Sequence, residues 1–517
     1  MQQLSFIHVS DLHLDNFPPV KPENDEMAMR LHEAPYEALK NLLELCRQKS
    51  PQFIVFSGDI HEHGVLSLKA RFSLMKFFNA LKALNIPFYY ACGNHDHLGQ
   101  NDKFFQNFDL VFRFTETWTT FSFVPQENSV ENTPERTDEN FSEHMDDMPE
   151  EELSEETERE TDIELKEYFD DAKNETQDAA DENADEELGE NSGEELVKTE
   201  IPFCHIHGIS HTNRKELKNL LKDFVYEKKA FFNIGVLHAS VHNSESVKNT
   251  DKHVVALCRE KDFAPFPLDY WALGHIHELS IVHQDPFVAY SGAMQATRMN
   301  ENGAHGAYFV TIEKNEKNPK KGSKIHTEFC PLAPLETYVL NLELPAAETE
   351  ELENIEQCLE YFLYTFKKEY TKFAKNPKCS TRIFTIFLEG QHDLSQELQS
   401  EDFIQNLKDK LEELDLGTRI FINKIKSLIR PSFGYENAHK RDDLLGEIFR
   451  TLENLRNDPE ACKEILKKIE NDFKIKNEID LGFFSHSDKP SQEQVEKYQN
   501  ALLNACENIC VNILEPK

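Results

Sequence analysis

Five short runs of this chain end in residues of the kind that bind metal ions. They are Asp11-Leu12-His13, Gly58-Asp59, Gly93-Asn94-His95-Asp96, His238 within Val236-Leu237-His238-Ala239, and Gly274-His275-Ile276-His277. Together they offer Asp11, Asp59, Asn94, His13, His238, His275 and His277 as ligands, with His95 and Asp96 left for other work. Mixed Asp, His and Asn donors suit borderline or moderately hard divalent ions. An all-cysteine set would point to zinc or iron–sulfur, an all-oxygen set to calcium or magnesium. Asp59 is the natural bridge, because one carboxylate can share its oxygens between two ions about 3.5–4 Å apart. Asp11, His13 and His277 then complete one ion's shell, and Asn94, His238 and His275 the other's. Water between two such ions is acidified toward neutrality while the ions neutralise charge on a phosphoryl oxygen. His95 is free to hydrogen-bond the phosphate or to protonate the departing oxygen, with Asp96 orienting its imidazole.

Each run follows a short apolar or β-branched stretch of strand length: Leu4 to Ser10, Phe53 to Ser57, Pro87 to Cys92, Phe232 to Leu237 and Tyr270 to Leu273. In an α/β sheet the carboxyl ends of neighbouring strands open onto one crevice, so residues far apart in sequence can converge there. Any one run is a common turn or cap; five in this order, each after a strand, make a site.

At 517 residues the chain is too long for one compact core, and two or three domains are expected. It has no apolar stretch of bilayer length and no basic-then-apolar amino terminus, so a soluble cytosolic protein without a membrane partner is expected. Ten cysteines without framework spacing read as buried thiols in a reducing compartment. The net charge of −38 looks hostile to nucleic acid, but Gln126 to Glu200 holds 31 acidic and 5 basic residues, leaving −12 for the remainder.

That tract, residues 126–200, nearly lacks aromatics and sustained periodicity and reads as a disordered acidic insert within a catalytic domain spanning 1–335. Thr120 to Val124 and Ile201 to His205 are strand-like on either side of it, and Tyr36 to Gln48 is an amphipathic helix. Residues 336–430 read as a small α+β accessory, or capping, domain: strands at Tyr338 to Leu344, Arg382 to Leu388 and Thr418 to Lys424, helices near Thr349 to Phe373 and Leu398 to Leu414. Residues 431–517 read as a helical partner-docking segment, with Leu444, Leu445, Ile448, Phe449, Leu452 and Leu455 at helical spacing. Candidate phosphate contacts are Lys248, Lys252, His253, Arg259 and Lys261; a second basic group, Lys314, Lys317, Lys320, Lys321 and Lys324, reads as a solvated hairpin tip.

The ordered set D-x-H, G-D, G-N-H-D, H and G-H-x-H resembles the calcineurin-like metallophosphoesterase superfamily. Asp269 to His277, Tyr290-Ser291-Gly292-Ala293-Met294-Gln295 and Arg441 to Glu447 are similar to DNA-repair exonucleases of the SbcD/YhaO type. The resemblance covers residues 1 to about 125 and 200 to about 460. It implies a two-sheet β sandwich flanked by helices with a capping domain, and Mn²⁺-dependent, dinuclear hydrolysis of DNA ends. It also implies DNA and an SMC-like coiled-coil ATPase as partners, with a homodimer left open. The alternative substrate is a non-DNA phosphodiester or a phosphoprotein. Such nucleases commonly carry a histidine or an acid shortly after the bridging aspartate. Here Ile60-His61-Glu62-His63 offers two histidines that either touch the phosphate or face solvent.

Overall fold

The computed structural model describes residues 2–21, 24–62, 66–99, 102–125, 202–226, 230–242, 254–314, 323–345 and 352–430, together with Gly446, Glu447 and Arg450. The acidic insert and nearly all of the terminal helical segment lie outside the described residues. So do Lys248, Lys252, His253, Lys317, Lys320, Lys321 and His63.

The strands in chain order are β1 (Gln2–Val9), β2 (Phe53–Phe56), β3 (Phe88–Tyr90), β4 (Val111–Arg113), β5 (Thr119–Phe123), β6 (Cys204–Gly208), β7 (Phe232–His238), β8 (Val241–His242), β9 (Cys258–Arg259), β10 (Tyr270–Gly274), β11 (Ser280–Gln284), β12 (Phe287–Tyr290), β13 (Gly306–Lys314) and β14 (Lys324–Pro331). Apart from the small β8-β9 pair they form two six-stranded sheets, ordered β14-β13-β1-β2-β3-β4 and β11-β12-β10-β7-β6-β5. Within the first, β1, β2, β3 and β4 run parallel, with Ile7 opposite Ile54 and Ile54 opposite Phe88. Within the second, β6, β7, β10 and β12 run parallel, with Val236 opposite Ala272.

Strand alternation explains why these segments read as unbroken apolar runs. Phe53 and Val55 of β2, with Ile234 and Val236 of β7 and Tyr270 and Ala272 of β10, fill the core between the sheets. The intervening Ile54 and Phe56 point the other way, into a second core with Leu39, Leu42, Leu74 and Phe78 of the covering helices α1 (Asp25–Lys49) and α2 (Leu68–Ala83). Leu237, Trp271 and Leu273 form a third core on the outer face of the second sheet. His8 ties the sheets together beneath the crevice: one ring nitrogen meets Tyr270 Oη at 3.0 Å, the other Ser57 Oγ at 3.1 Å. Burial pushes that imidazole down to about 3, so it is a neutral structural bridge.

The helix expected from Tyr36 begins eleven residues earlier, at Asp25, and carries Pro35 inside it. Proline normally stops a helix. Here Asn24 caps the start by accepting from Met27 N at 2.9 Å, and Met27, Leu31 and Ala34 are buried against Val20, Leu335, Ile383 and Phe421. Packing on that first stretch outweighs the local break.

The chain divides into two compact units. The first comprises Met1–Val339, Phe373–Phe384 and Asp415–Asn423; the second comprises Leu340–Lys372, Thr385–Leu414 and Lys424–Lys517. Three further strands, β15 (Leu335–Glu343), β16 (Thr381–Glu389) and β17 (Arg419–Ser427), form a sheet in that order. The second unit contains helices Ile355–Tyr370 and Glu401–Glu412, whose apolar stripes, Phe362 and Phe366 on one and Phe403 and Leu407 on the other, are buried. Among the described residues no helix is long and apolar enough to cross a membrane.

Candidate metal centre

The carboxyl ends of β1, β2, β3, β7 and β10 deliver the five runs to one place. Their loops are sewn together through the backbone: Asp11 N donates to Gly58 O at 2.9 Å, His13 N to Asp59 O at 3.1 Å and Leu14 N to Ile60 O at 2.9 Å. Asp11, His13, Asp59 and His275 all hold positive φ, at 52°, 48°, 62° and 99°. Such conformations are uncommon for non-glycine residues and cost of order 1–3 kcal/mol each, which is why they gather where a site over-determines them. Two glycines permit the close approach. A Cβ on Gly58, itself at φ +100°, would sit 2.3 Å from His238 Nδ1, and one on Gly93 would sit 2.2 Å from Asp59 Oδ1.

Among the described residues, three groups of side chains bring one donor atom each to within 4.8 Å of one another: Asp11, His13 and His277; Asp11, Asp59 and His238; and His13, Glu62 and His95. His13 Nε2 faces His277 Nε2 at 3.2 Å, and each lies 3.8 Å from Asp11 Oδ1. Asp59 Oδ2 is 3.2 Å from His238 Nε2 and 3.9 Å from His13 Nε2. Asn94 Oδ1 meets His238 Nε2 at 3.0 Å, while His238 Nδ1 donates to Ser57 O at 2.8 Å, which leaves Nε2 turned to the cluster. The His275 ring stands edge-on to His238 with centroids 5.3 Å apart, and its backbone N donates to Asp11 Oδ2 at 3.0 Å. All seven residues expected as ligands thus border one crevice.

The donors fit divalent ions. Asp11 and Asp59 are fully buried carboxylates. Burial opposes the charge on Asp59, yet His238 and His13 hold it well below the usual carboxylate range. Burial equally opposes charge on His238, but Asp59 and Asp11 raise it to about 9. His13 is raised well above the imidazole range by Asp11 and Glu62 against the same penalty. Buried carboxylates that draw protons onto imidazoles are a negative site asking for a cation, and metal binding displaces such protons.

The structure corrects the expectation that Asp96 orients His95. Asp96 is buried and its oxygens are taken by backbone: Asp59 N at 3.2 Å, Ile60 N at 2.6 Å and Gly93 N at 2.6 Å, with the Tyr90 hydroxyl as a fourth donor. It clamps the Gly-Asp loop to the Gly-Asn-His-Asp loop. The carboxylate at the His95 ring is Glu62, whose Oε1 lies 2.9 Å from His95 Nδ1 while its Oε2 lies 2.8 Å from His13 Nδ1 and accepts from Asn16 Nδ2 at 3.0 Å. Sequence reading looked past it to the neighbouring histidines, and His61 is 1% exposed rather than turned to solvent. Glu301 was likewise missed: its Oε1 lies 2.8 Å from His277 Nδ1, and no local motif marks it. Lys314 is not part of a solvated hairpin tip. Its ammonium is spent internally on Asp269 Oδ2 at 2.6 Å.

The family model for calcineurin-like phosphoesterases matches residues 4–279, more than half of the chain, and the chain belongs to that family. Members of that family are phosphoester hydrolases that work with two metal ions, and the side-chain groups above could hold such ions. Among curated relatives, the metallophosphoesterase YhaO of Bacillus subtilis (strain 168), itself described as uncharacterized, is 24% identical over 318 residues, which are 61% of this chain and 59% of that protein. Among solved structures, a dimetal phosphatase from Danio rerio aligns over 63% of this chain and 98% of its own, with 10% identity and a TM-score of 0.29.

Proposed function

We propose that this chain is a dinuclear phosphodiesterase that hydrolyses DNA, an exonuclease of DNA repair using Mn²⁺. The observation that carries the hydrolytic part is the pair of three-residue clusters sharing the buried Asp11, beside an imidazole backed by a carboxylate. Asp11, His13 and His277 would hold one ion, and Asn94, His238 and His275 the other, with Asp59 between them. When bound, two such ions supply a nucleophile from water at neutral pH and neutralise phosphoryl charge.

The chain's own groups do the rest. The Glu62 carboxylate can only accept, so His95 donates through Nδ1 and presents Nε2 to the crevice. At 21% side-chain exposure His95 can reach a substrate phosphate, and in its doubly protonated form, with Glu62 keeping the Nδ1 proton, it would pass the Nε2 proton to the departing 3′ or 5′ oxygen and be left as neutral imidazole. Asp59 Oδ1 accepts His95 N at 2.9 Å, so the bridging carboxylate and the acid move as one piece.

DNA as the substrate is supported by the second unit, which a small phosphodiester does not need. Arg259 and Lys261, both exposed, remain available as phosphate contacts. Purified protein with Mn²⁺ should cleave end-labelled single- or double-stranded DNA, and Asp59→Asn should not. A parent that hydrolyses bis-p-nitrophenyl phosphate and leaves every DNA untouched would overturn the substrate while keeping the reaction class. The same reading makes a coiled-coil ATPase of the SMC-like type the partner of residues 431–517, with a homodimer as a further arrangement. Truncation after Arg430 should abolish co-purification with the ATPase and spare hydrolysis of the small diester.

A further inference from the structure

We propose that Glu301 is a positioning residue of the metal centre: it fixes the His277 imidazole with Nε2 toward Asp11 and His13, and thereby sets the affinity of one of the two ion sites. The inference rests on the dinuclear reading above.

Glu301 lies outside every run that supplies a ligand. It stands eleven residues after β12 ends at Tyr290 and an irregular segment begins. Its side chain is nonetheless mostly buried, at 12% exposure, and each oxygen has a separate task. Oε1 meets His277 Nδ1 at 2.8 Å. Oε2 accepts from Thr297 N at 2.7 Å and Arg298 N at 3.1 Å, closing the turn 297–301 onto itself. The turn is in turn held by β15: Thr337 Oγ1 donates to Glu301 O at 2.7 Å, Gly303 N donates to Thr337 O at 3.0 Å, and Val339 N donates to Asn302 Oδ1 at 3.0 Å. The carboxylate is therefore a fixed post, not a side chain that happens to reach a histidine.

What the post does follows from imidazole chemistry. A carboxylate can only accept, so the proton of His277 sits on Nδ1 and the lone pair on Nε2. Nε2 is the atom that faces His13 Nε2 at 3.2 Å and Asp11 Oδ1 at 3.8 Å. With Oε2 taken by two backbone amides, the carboxylate is held as an acceptor with Oε1 aimed at the ring. Outer carboxylates that orient a ligand histidine in this way typically control metal affinity by 10–100-fold.

The rival role is purely structural, the closing of the 297–301 turn, and Glu301→Gln separates the two. Its amide oxygen can still accept from Thr297 and Arg298, while its NH₂ then faces His277 Nδ1 and drives the ring proton to Nε2. The measurement is Mn²⁺ titration of full-length parent, Glu301→Gln and Glu301→Ala, by calorimetry and by the electron paramagnetic resonance of bound Mn²⁺, with thermal unfolding of the metal-free proteins beside it. The parent should bind two ions with the spectrum of a coupled pair. Glu301→Gln should unfold as the parent does without metal, yet bind one ion about 10–100-fold more weakly and show an uncoupled spectrum at intermediate Mn²⁺. If Glu301→Gln binds both ions as tightly as the parent, the inference is overturned, whatever happens to stability. Should Glu301→Ala fail to fold, Glu301→Gln alone decides. A parent that binds fewer than two Mn²⁺ ions would instead overturn the dinuclear reading on which this one stands.

Discussion

Asp96 adjoins His95 in sequence and faces away from it, while Glu62, 33 residues earlier, meets its ring. The two acids should therefore fail differently when removed. Asp96→Ala strips the acceptor from three buried amides, each left unpaired at a cost of about 1–3 kcal/mol, and should lower the unfolding temperature of the metal-free protein markedly. His95→Ala should leave that temperature and the bound metal unchanged while turnover of a small phosphodiester falls about 10²–10⁴-fold, the usual contribution of a positioned proton donor. Metal analysis of His95→Ala is the critical measurement, since loss of an ion there would make His95 a ligand. The seven residues that gather here could be picked out of the sequence as candidate ligands because metal chemistry restricts residue types at fixed spacing. The carboxylates behind them could not. Glu62 and Glu301 act through a hydrogen bond that only the folded loops create, and an isolated acid in a loop has no spacing to betray it.

At the scale of elements, a ligand here is a strand plus the sharp turn that ends it, and the turn depends on its glycine as much as on its donor. Gly93→Ala puts a methyl 2.2 Å from Asp59 Oδ1 and 2.9 Å from Asp59 N, so either the bridging carboxylate or the loop must shift. The expected result is a loss of about 1–3 kcal/mol from overpacking, together with weakened binding of Mn²⁺ at both sites, because Asp59 lies between them. Two ions bound with parental affinity by a folded Gly93→Ala protein would show that the loop has slack the close contact denies. The five strands were legible because both faces of each sheet are covered, giving dense apolar runs of strand length. The start of α1 was not: Pro35 is a local stop signal, and what overrides it is burial against Leu335, Ile383 and Phe421, residues some 300 or more positions away. β6 was displaced for a similar reason. Its polar outward residues His205 and His207 are buried, so the strand continues to Gly208, past the apolar stretch that marks its beginning.

For the molecule as a whole, the question is where most of the negative charge is attached. β5 and β6 pair antiparallel with Phe123 opposite Cys204, so the acidic tract leaves and rejoins the sheet at that end of the hairpin. Cys204 pairs with Phe232 at the start of β7, whereas His238 ends that strand six residues on, about 20 Å away at ~3.3 Å per residue. The tract is thus rooted at the far end of the sheet from the metal-ligand cluster. A field originating there is screened within ~8 Å at physiological ionic strength but extends ~30 Å at 0.01 M. Deleting Gln126–Thr199 removes 30 acidic and 5 basic residues, a net −25 out of −38, and a four-residue Gly-Ser linker leaves a hairpin loop of about ten residues. Shortening that loop by about three doublings should stabilise the first unit by up to about 2 kcal/mol from closure entropy. On the DNA reading, the shortened protein should also bind DNA faster than the parent at 0.01 M salt, the advantage vanishing near 0.15 M, while hydrolysis of a small diester stays the same. Association rates measured across that salt range decide the point: equal rates throughout would make the tract an electrostatically passive spacer, and an advantage persisting at 0.15 M would mean that it reaches the crevice in person.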